Sequence, residues 1–117
     1  MSDIVLHITS RSAWQAARMA GFYAADSLEG QGFIHCSLPS QVLRVANNLF
    51  RGRDDLVLLV IDPARLTAPL KWEPAADLAT EIFPHLYGPL NLEAVVDVLP
   101  LGRDAAGGFL LPPGLNI

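Results

Sequence analysis

The sequence predicts an α+β protein, and three observations carry that expectation. Two helical patterns fall in the first half of the chain. From Asp55 onward, apolar runs of strand length dominate. No strand–helix alternation continues to the C-terminus, as a doubly wound α/β sheet would require.

Taken in order, residues 3–9 form the first strand, carried by Ile4-Val5-Leu6-His7-Ile8-Thr9. Thr9 or Ser10 caps a helix from about Arg11 to Ala20, with Trp14, Ala17 and Met19 among its apolar positions and Gly21 closing it. Tyr23 to Gln31 reads as a polar connection. The second strand spans about residues 32–36. Ser40 is a good N-cap for a second helix, in which Val42, Val45, Ala46, Leu49 and Phe50 share a face before Gly52. Asp55 to Ile61 is a continuous β-branched and leucine run, the pattern of a strand covered on both sides. Asp62-Pro63 stops it. Leu70-Lys71-Trp72-Glu73 alternates as a short strand, and Pro74 to Thr80 is a loop. Phe83 to Leu90 holds two prolines and a glycine, which predicts an irregular or edge segment rather than a regular central strand. Leu92 to Leu99 is a strand, Gly108 to Leu111 a last short one, and Pro112-Pro113-Gly114 ends regular structure. The count is two N-terminal helices and five or six strands in one domain, residues 1–117.

The 117 residues bury about two-thirds of their unfolded surface when folded, and 51% hydrophobic content with a mean hydropathy of +0.34 fits a globular core. No apolar stretch approaches the roughly 18–20 residues of a membrane span, and Met1-Ser2-Asp3 lacks the basic start of a signal peptide. Cys36 is the single cysteine, so no intrachain disulfide forms and a reducing cytoplasm is the expected setting. Net charge is −4, and the cluster Arg51-Gly52-Arg53 is cancelled by Asp54-Asp55. That balance disfavours nucleic acid and anionic membranes as partners and leaves a small molecule, bound by a monomer or small homo-oligomer.

His7 and His35 are the residues that suggest a site. Each lies in an apolar strand-like run, and each is followed two positions later by a hydroxyl residue, Thr9 and Ser37. An imidazole among aliphatic side chains must find a partner or leave a polar group unsatisfied, at roughly 1–3 kcal/mol. One reading is structural, each ring bonded to a nearby carbonyl. The other sets two neutral imidazoles on adjacent strands at the mouth of a cleft, positioned for ribose hydroxyls or an amide-bearing ligand.

The irregular segment adds His85 and Tyr87, which are expected to close the same cleft; the plain alternative packs Tyr87 in the core and leaves His85 capping a turn. Three histidines raise a zinc hydrolase as a minor alternative, but the spacing holds neither His-x-His nor His-x-x-x-His, and no metal site is assigned. Cys36 points away from the face of His35 in a strand and reads as core rather than nucleophile. Glu81 is the best-placed carboxylate for transition-state charge or a ribose hydroxyl, with a solvated surface glutamate as its alternative. No GxGxxG, Walker loop, Gly-x-Ser-x-Gly or Cys-x-x-Cys is present.

The pattern His7-Ile8-Thr9, Trp14, Gly21, Gly32-Phe33-Ile34-His35-Cys36-Ser37, Gln41 and Val45-Ala46-Asn47 resembles a bacterial family of small uncharacterised proteins, the domain of unknown function 952. Leu56 to Asp62, Leu70 to Glu73 and Phe83 to Leu90 extend the resemblance over nearly the whole chain. More distantly, the strand-end His-x-Thr and the hydrophobic-His-x-Ser look like the cores of tRNA 2′-phosphotransferases and other ADP-ribosyltransferase-like proteins. That resemblance implies a split, bent β-sheet clamping NAD as substrate, with His7 on a ribose and His35 on the nicotinamide side. Thr9 and Ser37 would support them. The phosphotransferase N-terminal lobe with its Arg-His pair and basic groove has no counterpart here, and no late glutamate has a clear match. The expected function is NAD-dependent transfer of ADP-ribose with His7, His35 and Glu81 as catalytic residues and Thr9, Ser37, His85 and Tyr87 as binding residues. The alternative is a nucleotide- or small-ligand-binding module without turnover.

Overall fold

A computed structural model describes residues 4–75 and 78–112, with side chains over 4–74 and 81–112. Met1-Ser2-Asp3, part of the expected 74–80 loop and the tail from Pro113 lie outside the described residues. The chain runs β1 (Val5–Ser10), α1 (Arg11–Ala20), β2 (Phe22–Tyr23), α2 (Asp26–Gln31), β3 (Ile34–His35), α3 (Pro39–Leu49), β4 (Leu56–Ile61), β5 (Leu70–Ala75), β6 (Leu78–Leu86), β7 (Leu90–Asn91) and β8 (Val95–Pro100). Short 3-10 turns occupy Pro63–Arg65 and Leu92–Ala94. The α+β class stands. Strand pairing is antiparallel throughout the described residues, in three sheets ordered β1-β4-β8, β2-β7 and β3-β6-β5.

All six residues of β4 are buried, because its two faces meet two different clusters. Val57, Leu59 and Ile61 pack with Val5, Tyr23, Ile34 and Leu86. Leu56, Leu58 and Val60 pack with Leu6, Ile8 and the α3 residues Val42 and Ala46. Each fully buried leucine contributes about 1.5–3 kcal/mol of apolar transfer, so this central strand is the spine of the fold. On β1, His7 and Thr9 share the first face with Val5, since strand side chains alternate.

Several expectations change in the structure. Among the described residues three α-helices form where two were expected, because α2 replaces the polar connection after Tyr23. Asp26 and Glu29 occupy its first turn, where the helix dipole favours acids, and Gly32 closes it in the left-handed conformation. In α1, Ser10 is the N-cap as expected, but Met19 is 91% exposed, being off the stripe of Ala13, Trp14 and Ala17. The N-cap of α3 is Leu38 rather than Ser40. Pro39 takes the first helical position, where a missing N–H costs nothing, and the Gln41 amide oxygen accepts the Leu38 N–H at 2.9 Å.

The largest correction concerns Phe83 to Leu90. Its first part belongs to β6, the central strand of its sheet, in spite of Pro84. The N and O of one residue in an antiparallel strand point the same way. The Pro84 carbonyl accepts from Cys36 N at 3.1 Å, so its missing donor faces the end of β3, where the ladder stops after two residues. Residues 92–94 form a 3-10 turn ahead of β8, not the start of a strand. Residues 108–111 make a single bridge, Arg103 to Phe109. There the Asp104 carboxylate captures the N–H groups of Ala106 and Gly108, both at 2.9 Å, and favours a turn. No helix among the described residues is long and apolar enough to cross a membrane.

Gly88 ends the β6 segment at φ +153°, and a Cβ there would lie 2.7 Å from the Ala68 Cβ. Gly88→Ala is expected to lower the unfolding free energy by about 1–3 kcal/mol, measured by urea denaturation. Adding Ala68→Gly should restore the part due to the clash. An unchanged midpoint in the single variant contradicts this account.

Candidate functional site

Strand register assembles the site. His35 of β3 pairs directly with His85 of β6, and Lys71 of β5 pairs with His85 from the other side. Residues two apart share a face, so Phe33, His35, Phe83, His85, Lys71 and Glu73 project from one surface of this sheet. That surface and the His7 face of β1 border a cleft of about 1500 Å³, lined by His7, Tyr23, Phe33, His35, Glu73 and His85 among others. Its volume exceeds the roughly 300–1,000 Å³ of common ligand pockets. Arg44 on α3 and Arg53 in the following loop also line it. Arg44 is ion-paired with Glu81, and Arg53 with Asp55.

His7 is buried and doubly bonded. Its Nδ1 lies 2.6 Å from the His35 carbonyl oxygen and its Nε2 2.8 Å from the Tyr23 hydroxyl. A carbonyl only accepts, so Nδ1 carries the proton and Nε2 accepts from Tyr23. The Thr9 hydroxyl, 3.0 Å from the Tyr23 oxygen, then donates into the chain. Burial lowers the His7 pKa from 6.5 to about 4, so the ring is neutral in ordinary conditions. Both nitrogens are spent inside the protein, unlike the ribose contact that the resemblance implies.

His35 and His85 differ from His7. The exposed His35 donates from Nε2 to the Gln31 amide oxygen at 2.6 Å, which leaves the Nδ1 lone pair open. Partial burial, with His85 nearby, lowers its pKa. The buried His85 donates from Nδ1 to Glu73 Oε1 at 3.0 Å. Its ring stacks on Phe33 at 4.1 Å and 17°, and meets His35 edge-on at 5.6 Å. Glu73 also accepts from the Tyr87 hydroxyl at 2.5 Å. These two hydrogen bonds, Tyr87 first, hold its carboxyl below the usual carboxylate range.

The structure therefore brings His7, Thr9, His35, Ser37 and His85 to one cleft. Ser37 is buried there, with its backbone bridging Leu6. Tyr87 lines a separate hollow of about 390 Å³ beside Gly88 and meets the cleft wall through Glu73 and through the Phe33 ring at 5.3 Å. Glu81 does not line the cleft; it accepts from Gln41 at 3.2 Å and from Arg44. Burial pushes the Cys36 thiol up to about 12, which removes it as a thiolate nucleophile. Among the described residues no three His, Cys, Asp or Glu side chains group as metal ligands. Sequence reasoning missed Tyr23, Gln31, Phe33 and Glu73. For Glu73 a signal existed, the alternation in Leu70 to Glu73, but which partner its face would meet depends on register.

The chain belongs to the family described as "Protein of unknown function (DUF952)", whose pattern matches residues 8–98. It is similar to CC0527 from Caulobacter crescentus. The crystal structure of that protein superposes with a TM-score of 0.82 at 37% identity, covering 92% of this chain and 94% of that one. Its solution NMR structure gives 0.77 at 37% identity, with 90% of each chain covered. No curated protein matches the chain.

Because the folded-state pKa of His7 lies below its unfolded value, the unfolded chain binds the extra proton between the two. Unfolding free energy is therefore expected to be full above pH 6.5 and to fall by on the order of 3 kcal/mol as pH drops towards 4. His35 adds a loss of the same sign. Tyr23→Phe, which strands Nε2 of His7, should cost a further 1–3 kcal/mol or so at neutral pH. Denaturant titrations across that pH range check both, and a flat profile refutes the first.

Proposed function

We propose that the cleft binds a nucleotide of the NAD type and that the protein is an ADP-ribosyltransferase-like enzyme acting on the nicotinamide–ribose bond. One observation carries this reading. His35 and His85 face each other across β3 and β6, each with one ring nitrogen unengaged by the described residues, beside the aromatic platform of Phe33. Two imidazole lone pairs suit the donors of a ribose or a carboxamide, and an aromatic face suits a planar ring. Arg44 and Arg53 supply guanidinium groups that match a pyrophosphate in charge and shape, once released from Glu81 and Asp55. Three small antiparallel sheets, with β1 joined to the β3 segment by the Leu6–Ser37 bridge and the His7–His35 hydrogen bond rather than by a continuous ladder, are compatible with a split sheet around a ligand.

In this reading His7 holds the wall rather than the ligand. Its bonds fix the Tyr23 hydroxyl and the His35 backbone at the cleft. The reacting bond joins the anomeric carbon to a pyridinium nitrogen, which leaves as neutral nicotinamide with no need of an acid. Positioning and stabilisation of the oxocarbenium-like state then carry the rate. The bacterial cytoplasm supplies NAD and suits the lone thiol of Cys36.

A binding module without turnover is the second reading. It is favoured by the engagement of Glu81 with Arg44 and Gln41, outside the cleft. Calorimetric titration with NAD and with ADP-ribose is expected to show saturable binding, weakened about tenfold or more by His35→Ala, which is ~1.4 kcal/mol. No binding at millimolar ligand, or affinity unchanged from wild type in both His35→Ala and His7→Ala, ends the nucleotide reading. Nicotinamide release above the buffer rate separates the enzyme from the module.

A further inference from the structure

Among the described residues two carboxylates line the cleft, Asp26 and Glu73, and Glu73 is the one paired with a histidine, His85. A carboxylate only accepts hydrogen bonds, so the 3.0 Å contact puts the imidazole proton on Nδ1 and, in the neutral ring, the lone pair on Nε2. His85 is 4% exposed, and Nε2 has no partner among the described residues. Yet no buried side-chain nitrogen or oxygen among them is unsatisfied, so Nε2 keeps some exposure, on a residue that lines the cleft. The ring cannot readily turn. Phe33 stacks on one face, His35 meets it edge-on, and Glu73 grips Nδ1. Glu73 is in turn fixed by Tyr87, whose ring carries the Lys71 ammonium at 4.7 Å. An accessible lone pair on a cleft-lining ring, with its tautomer set by an anchored carboxylate, is the arrangement of a general base and its orienting acid.

We propose that His85 is the general base of the cleft, taking a proton from an oxygen nucleophile, water or a substrate hydroxyl, and that Glu73 is its positioning residue. The inference rests on the reading of the cleft as a site of NAD cleavage. In the step, the bond from the anomeric carbon to the pyridinium nitrogen breaks, and its electron pair stays on nitrogen as neutral nicotinamide. The oxygen nucleophile forms the new bond to that carbon, and its proton passes to His85 Nε2. The resulting imidazolium faces the Glu73 carboxylate, so the charge is balanced where it forms. With water the products are nicotinamide and ADP-ribose; with a hydroxyl, nicotinamide and the ADP-ribosylated acceptor.

Heteronuclear NMR of the imidazole nitrogens, on the full-length chain, reads the tautomer directly. The proton is expected on Nδ1 of His85, with Glu73→Gln moving population towards the Nε2–H form; a wild-type proton on Nε2 overturns the proposal without any substrate. In parallel, nicotinamide release from NAD is followed in the wild type, His85→Gln and Glu73→Gln, with ADP-ribose affinity measured for each. His85→Gln should slow release by about 100-fold or more, within the usual span for a lost general base, a loss in the chemical step larger than any accompanying loss of ADP-ribose affinity. Glu73→Gln should lower kcat by roughly tenfold with little change in KM. If the His85 variant does not fold, the half-exposed Glu73 position and the wild-type tautomer still decide. Absence of NAD binding overturns the nucleotide reading and this inference together. Binding without release in the wild type, or release unchanged by both variants, overturns the base alone.

Discussion

His7 is a polar ring in a place where only a fully bonded polar ring is tolerable. It sits on β1 among Val5, Val57 and Leu59, beneath the chain segments that carry β2 and β3. An unpaired nitrogen there would cost roughly 1–3 kcal/mol. The two bonds that remove this cost run to different elements, one to the backbone of β3 and one to the Tyr23 hydroxyl of β2. Three sheets that share few ladder hydrogen bonds are thereby tied at one atom group. The Leu6–Ser37 backbone pair, at 2.8 Å in both directions, reinforces the same junction. The cleft opens beside this junction, so its wall inherits the rigidity of a satisfied buried network.

That constraint separates the polar groups of the cleft into two kinds. His7, Thr9 and Tyr23 satisfy one another. His35 and His85 each give one nitrogen to a protein acceptor and keep the other open. They meet because β3, although only two residues long, pairs with β6 at His35 and His85. Pro84 contributes to that brevity. It accepts from Cys36 but cannot donate, and the ladder ends there. The cleft thus combines a fixed wall with two open imidazoles, one of them backed by a carboxylate.

Much of the core was legible from the chain alone. The apolar run Leu56 to Ile61 could only be a strand covered on both faces, and its alternate residues do enter two clusters. Ser10 and Gly21 bounded α1 through local capping, which needs no tertiary partner. The apolar run around His7 marked β1 as a strand. Expectations failed where a distant residue decided. Pro84 looked incompatible with a central strand, but the relevant fact is which neighbour its nitrogen faces. The 108–111 segment looked like a strand, but the Asp104 side chain took its donors.

The sequence by itself determined an α+β chain with one apolar central strand, a net charge of −4 with its basic cluster cancelled by neighbouring acids, and two histidines that had to be satisfied or used. Those properties follow from periodicity, composition and the cost of burying an imidazole, all of which are local. Only the tertiary structure decided which histidine was satisfied and which were open. It also exchanged Glu81 for Glu73 as the carboxylate paired with a cleft histidine. Glu73 and His85 lie 12 residues apart in sequence on strands whose register sets their shared face, and a register shift of one residue would turn either side chain away. Register is fixed by the packing of the whole sheet, which no short stretch of sequence encodes.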